Sequence, residues 1–401
     1  MTSMFSLLLI FALAGVFWLV LGGFRASEGA PVATSSAPRA ASRTPSPPPP
    51  PPAPPPGPPQ PRSAVSRSVA VEIGRSTADE WSPPTHVGHH AHVATLRGRR
   101  VVSFAPEYLG DVWVGSIDDP KGTSYFFGTT SDDQLTDEPA GALFYRWDAA
   151  LADPRFDEVE SLIFGAWTWE VHDEPPAPVY AALIARAPQL TRLEDLFIGE
   201  ALQEESEISW LVIGDVGPVL SALPALRHAW VRGVYEISSL RSASLTHLTL
   251  QTGGMPKAAL DALLAAELPA LRQLTIWLGD EGYGREVEAE ALPALLDRFP
   301  ALEHLGLQNA DIQDEVIEAV LAHPGIARLQ SLDFSMGATT DRGARAILAC
   351  PAVRGLKHLN LRHHFIGDDA LIAALQHLPC RIDLSDRLEP DDGYLYPEVS
   401  E

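Results

Sequence analysis

The pattern L-x-x-L-x-L returns six times after residue 190, as LEDLFI (193–198), LTHLTL (245–250), LRQLTI (271–276), LEHLGL (302–307), LQSLDF (329–334) and LKHLNL (356–361). Looser copies stand at VESLIF (159–164) and LRHAWV (226–231), and IDL (382–384) reads as a last strand. Leucines at period two drive one face of a short strand into a core. The segments that follow have helical periodicity, as in DEVIEAVLA (314–322), GARAILA (343–349) and DDALIAALQHL (368–378). One strand and one helix cannot bury both apolar faces alone, so successive coils must stack. The expected fold is an α/β solenoid: a parallel sheet on a concave face, helices on the convex face, and an N-terminal cap.

The residues flanking the buried leucines point to the opposite, concave face of the sheet. The third place of each repeat reads Asp195, His228, His247, Gln273, His304, Ser331 and His358. The fifth includes Phe197 and Trp230, and the seventh includes Arg232, Trp277 and Arg362. Aromatics beside arginine on an exposed face have the composition of a binding hot spot. Phe197, Trp230, Arg232, Trp277, His228, His247 and Arg362 are therefore the candidate binding residues. The competing reading packs the aromatics beneath the N-terminal segment or the long loops. His228 and His247 are expected as cross-strand neighbours, about 5 Å apart.

The helix-containing coils, with IGDDALIAAL (366–375), resemble the ribonuclease-inhibitor class of leucine-rich repeats. More specifically, FYRWDAALADPRFDEVESLIFGAW (144–167), FIGEALQEESEISWLVIGDVGPVLSALPAL (197–226) and DRLEPDDGYLYPEVSE (386–401) are similar to a family of bacterial stand-alone leucine-rich-repeat proteins. That resemblance spans roughly residues 100–401 and implies a fold but no assigned activity. The ninth place departs from the class. Where Asn or Cys is usual, it reads Ala201, Val234, Gly253, Gly279, Ala310, Gly337 and His364, which predicts tight turns satisfied by backbone or water.

The remaining segments divide the chain further. Residues 4–24 carry no charge, and 21 residues of helix reach about 31 Å, the thickness of a bilayer core. Residues 1–25 thus read as a single-pass anchor; a cleavable signal peptide is the alternative, and the side of the membrane is open. Residues 26–68 read as a disordered proline-rich linker, with 13 of the 36 prolines between Pro45 and Pro61. Such a run stays in polyproline II, a spacer of roughly 50 Å that also has the form of a ligand for an SH3-like groove. Residues 69–99 read as a loosely ordered His-containing segment. Residues 69–158 contain strand-like runs at VAVEI (69–73), VVSF (101–104), VWVG (112–115) and ALFYRW (142–147), and residues 100–158 read as the cap. Residues 159–385 hold the repeats, and the acidic tail 386–401 is expected to close the far end.

Charge and motif content narrow the function. Residues 65–401 hold 25 basic and 51 acidic residues; such a body repels phosphate, so nucleic acid is not an expected partner. No nucleophile elbow, Walker loop, H-E-x-x-H or G-x-G-x-x-G motif is present, and no cofactor or metal is expected. Cys350 and Cys380 fall in neighbouring repeats, where a bridge is conceivable beside the simpler reading of buried free thiols. The leading expectation is a monomeric, non-catalytic, membrane-tethered scaffold that binds a protein or peptide. The alternatives are a GTPase activator using Arg232 or Arg362, a metal-dependent hydrolase using His86, His89, His90 and His92, and a purely structural envelope role. If residues 4–24 anchor the chain, alkaline carbonate will leave the protein in the membrane fraction, and Leu13→Arg will release a measurable part of it. Quantitative release of the unaltered protein would sink that reading.

Overall fold

The computed structural model describes residues 71–73, 92–104, 107–109, 112–128, 142–166, 175–203 and 205–399. The chain divides at residue 61, and every described residue belongs to the second unit, 62–401. The expected anchor, the linker, and His86, His89 and His90 lie outside the described residues. Among those described, no helix is long and apolar enough to cross a membrane.

Strands form at each copy of the leucine pattern, and others form ahead of and between the copies. In chain order they are β1 (Val71–Ile73), β2 (Val93–Leu96), β3 (Arg99–Ser103), β4 (Glu107–Leu109), β5 (Val112–Val114), β6 (Thr123–Phe127), β7 (Ser161–Phe164), β8 (Asp195–Ile198), β9 (Val212–Asp215), β10 (His228–Arg232), β11 (Val234–Glu236), β12 (His247–Gln251), β13 (Gln273–Gly279), β14 (His304–Ala310), β15 (Ser331–Asp333), β16 (His358–Asn360) and β17 (Arg381–Asp383). Thirteen described strands make one sheet in the order β1-β2-β3-β6-β7-β8-β10-β12-β13-β14-β15-β16-β17. From β3 onward its neighbours pair in parallel. With helices between successive strands, this is an α/β repeat solenoid.

The register follows the repeat. Asp195, His228, His247, Gln273, His304, Ser331, His358 and Arg381 stand side by side across eight strands. The leucines between them, such as Leu248, Leu274, Leu305 and Leu332, are fully buried in one continuous core. Helices Gln313–Leu321, Asp341–Ala349 and Asp369–Gln376 start and end within two residues of the periodic segments. Thr340 and Asp368 cap the last two, their side-chain oxygens accepting from Arg342 N–H and Ala370 N–H.

The turns after the strands are satisfied as their small ninth residues predict. Asp280 N–H donates to Gly253 O and Ala338 N–H to Ala310 O. Gly279 has φ +77°, and a Cβ there would stand 1.8 Å from Gly253 O, so only glycine fits. Two side chains assist: Gln313 bridges Ala310 N–H and Leu307 O, and His364 accepts from Ile366 N–H while meeting Leu384 O.

Several N-terminal expectations are corrected. Residues 142–152 form a helix rather than a strand, because Trp147 and Ala150 share a buried face at helical spacing. Trp147 packs edge-on against Phe127, Phe156 and Phe164 at centroid distances of 5.2–5.3 Å. The sheet also begins before the repeats: β6, within the expected cap, pairs in parallel with β7. Residues 93–99, expected to be loosely ordered, lie in an antiparallel β2–β3 hairpin. Cys350 and Cys380 are free thiols.

The central leucines each fill a fixed slot between sheet and helices. Leu305→Ala is expected to lower unfolding stability by about 2–5 kcal/mol in urea titration; a loss under about 1 kcal/mol would contradict the packing described.

Candidate functional site

The face of the sheet away from the helices carries the candidate residues, and two segments cover part of it. The first is the β2–β3 hairpin. Val93, Leu96 and Val101 pack with Phe126, Ile163, Phe197 and Trp230 into a second apolar cluster. Phe197 is 0% and Trp230 6% exposed. The expected solvated aromatics are therefore sealed, as the competing reading had it, because the hairpin folds onto them.

Charges hold the hairpin in place. Arg99 donates to Asp195 and, at 2.7 Å, to Glu160. Arg97 lies 3.4 Å from Asp195, which also meets His228 Nδ1 at 2.6 Å. One buried carboxylate thus faces two guanidinium groups and an imidazole, and burial lowers the His228 pKa despite its bond to Asp195. Ahead of the hairpin, His92 Nδ1 meets Glu200 at 3.0 Å and Nε2 meets Glu205 at 3.0 Å. Glu200 also accepts from Val93 N–H at 2.6 Å, and Glu205 from Leu202 N–H. Burial alone would lower the His92 pKa, but hydrogen bonds and charge from the two glutamates outweigh it and raise it to about 9. None of this clamp was assigned from sequence. The basic run LRGRR (96–100) hinted at it, while the Asp195 partner of Arg99 lies 96 residues away.

The second cover is the C-terminal tail, which turns back across the later coils. Glu398 N–H donates to Met336 O, and the Val399 backbone exchanges two hydrogen bonds with the Asn309 side chain. Val399, Met336 and Ile208 enclose Trp277, which is 2% exposed. Trp277 Nε1–H donates to Gln308, and Arg232 lies over the indole at 5.4 Å. Arg232 is itself buried and donates to Gln251 and Ala201 O. Arg362 pairs with Asp386 at 2.7 Å and with Glu398. Arg232 is thus buried, and Arg362, half-buried, is held in ion pairs.

Between the covers the third-place histidines remain together. The rings of His228 and His247 are 4.6 Å apart, close to the sequence expectation. His247 Nδ1 meets Thr246 Oγ1 at 2.8 Å, and His304 Nδ1 meets Ser331 Oγ at 2.7 Å. Burial and neighbouring cationic groups lower His247 to about 3 and His304 to about 4, so both are neutral. No group of three His, Cys, Asp or Glu among the described residues is arranged to hold a metal ion. Toward the end of the sheet the cover thins: His304, His358 and Asn360 are half-buried, while Arg381, Asp383 and Ser385 are exposed.

No protein-family model matches the chain, and no curated protein does. Among solved structures, a protein from Bacteroides fragilis is similar at 26% identity and a TM-score of 0.62, over 72% of this chain and 82% of that one. An internalin from Listeria monocytogenes is 13% identical with a TM-score of 0.30, over 72% of this chain and 87% of that one. The first likeness extends to the fold.

The histidines set the pH dependence of stability. His92 is raised above its unfolded value near 6.5, so its contribution is complete below pH 6.5 and is lost as pH rises through about 9. His247 and His304 are depressed, so stability falls as pH drops below 6.5 toward 4. Urea midpoints should therefore peak near pH 6.5, and His92→Gln should flatten the alkaline limb, worth about 2–4 kcal/mol. An unchanged alkaline limb would refute the clamp.

Proposed function

We propose that this chain is a non-catalytic, membrane-tethered scaffold that binds a protein or peptide on the helix-free face of its later strands. The solenoid is read as a leucine-rich-repeat horseshoe of the ribonuclease-inhibitor-like class, with that face concave. The carrying observation is the graded exposure of the face. Its early strands are sealed by the β2–β3 hairpin, whereas His304, His358, Asn360, Arg381 and Asp383 reach solvent on β14 to β17. A parallel sheet holds these side chains in register at about 4.8 Å between strands, a rigid array that loses little entropy on binding. The contact surface thus moves from Phe197, Trp230 and Trp277 to the later strands, with His247 and Arg362 at its margin. Tethering rests on the uncharged run 4–24.

Crosslinking and affinity capture from detergent-solubilised cells, comparing the native protein with His358→Ala/Arg381→Glu, tests the reading. A specific partner should be recovered at least tenfold less with the double variant, about 1.4 kcal/mol or more. An identical partner list for both proteins would count against it.

A further inference from the structure

The solenoid is left open at its last coil. Among the described strands, β17 ends the order of the sheet and pairs with β16 alone. Arg381 N–H donates to Lys357 O, and Leu361 N–H donates to Asp383 O. These two residues thus turn their backbone groups inward, and Ile382 between them turns its own to the open edge. The core is open there too. Leu332 and Leu359, in register with Ile382, are 0% and 2% exposed, whereas Ile382 and Leu384 are only half-buried. On the helix of this coil, Asp369–Gln376, Leu371 and Ile372 are half-buried, and Ala370, Ala373 and Ala374 are exposed. A solenoid ordinarily ends on a repeat with a polar outer face. The tail runs back to Met336 and Asn309 instead of supplying one.

We propose that this end joins two copies of the chain in a twofold dimer, with the two β17 strands antiparallel and centred on Ile382. Charge selects a second copy as the occupant. Arg381 and Asp383 are both exposed and, flanking Ile382, share the helix-free face. With Ile382 opposite its own counterpart, Arg381 falls opposite Asp383 of the other copy, and the reverse pair forms by symmetry. Ile382 then exchanges both backbone hydrogen bonds with its counterpart. The ion pairs fall at the closer, non-hydrogen-bonded positions, where Cα atoms stand about 4.5 Å apart. Against an unrelated edge the same charges are a penalty; against their own copy they are complementary. Other charges of the last coil are engaged within it, Arg387 with Asp369 and Asp386 with Arg362. Lys357 precedes β16, and Glu389, Asp391 and Asp392 belong to the tail past Leu388, so none of them lies on β17. Ile382, Leu384 and the alanine-bearing helix meet their own counterparts on the core side, where small side chains allow close approach. Such an isologous contact is closed and stops at two copies. The dimer departs from the monomer expected from sequence, and it does not depend on the scaffold reading.

Sedimentation equilibrium of the full chain in density-matched detergent tests this. The native chain is expected to form a dimer that dissociates reversibly on dilution. Arg381→Asp and Asp383→Arg each set like charges against each other across the join, and each should weaken association at least about tenfold. An equimolar mixture of these two single variants restores both ion pairs, as does the double variant Arg381→Asp/Asp383→Arg. Both should associate to within about threefold of the native chain. Thermal melting checks that the single variants fold, and their recovery on mixing shows that the interface survives in each. A native chain that stays monomeric at every concentration, single variants that associate like the native chain, or a mixture that fails to recover would overturn the proposal. Self-association is read on the purified chain with no partner present, so it and the partner reading fail separately.

Discussion

Burial of one leucine face per strand is the constraint on which the rest of the molecule depends. A three- to seven-residue strand with a short helix has too little apolar surface to stand alone, so each coil is stable only against its neighbours. Leu248, Leu274, Leu305 and Leu332 therefore form a continuous column rather than separate cores. The same constraint fixes the opposite face: once the leucines are inside, every third, fifth and seventh residue is forced outside in register. The aligned histidines follow from that column. Their chemistry then follows from partial burial, which keeps His247 and His304 neutral and leaves them as hydrogen-bonding groups.

A stack of coils also produces bare surfaces, and the covers here differ in chemistry. At the start, a hairpin lays Val93, Leu96 and Val101 over Phe197 and Trp230 and is fastened by buried ion pairs. At the other end the last strand, β17, is three residues long and carries Arg381 and Asp383, charges that discourage pairing with another chain's edge. The tail turns back across the later coils, where Val399 reaches Asn309 and Trp277. This differs from a simple end cap: it covers the seventh-place row and leaves much of the last strands in water.

Local periodicity made the strands, the later helices and the columns legible, since leucine spacing and strand register are both short-range properties. The pairing of His228 with His247 followed from counting alone. Covering was harder to read. Phe197, Trp230 and Trp277 have the same sequence signature whether they meet solvent, a partner or a distant part of their own chain. What distinguishes these cases is a contact across a hundred residues, such as His92 with Glu205. The helix at 142–152 was obscured because its first six residues, ALFYRW, are rich in strand-favouring aromatics, and the helical period shows only when DAALA is included.

The tail and the hairpin also change how the array should come apart. Nearest-neighbour coils alone behave as a one-dimensional chain that frays from its ends and can nucleate anywhere. Asn309 bonded to Val399 and His92 bonded to Glu205 close loops of 90 and 113 residues. Such closures raise contact order and are completed only after the intervening coils are in place. They act as latches, one fastening the first coils and one the last, so that neither end is free to fray one coil at a time.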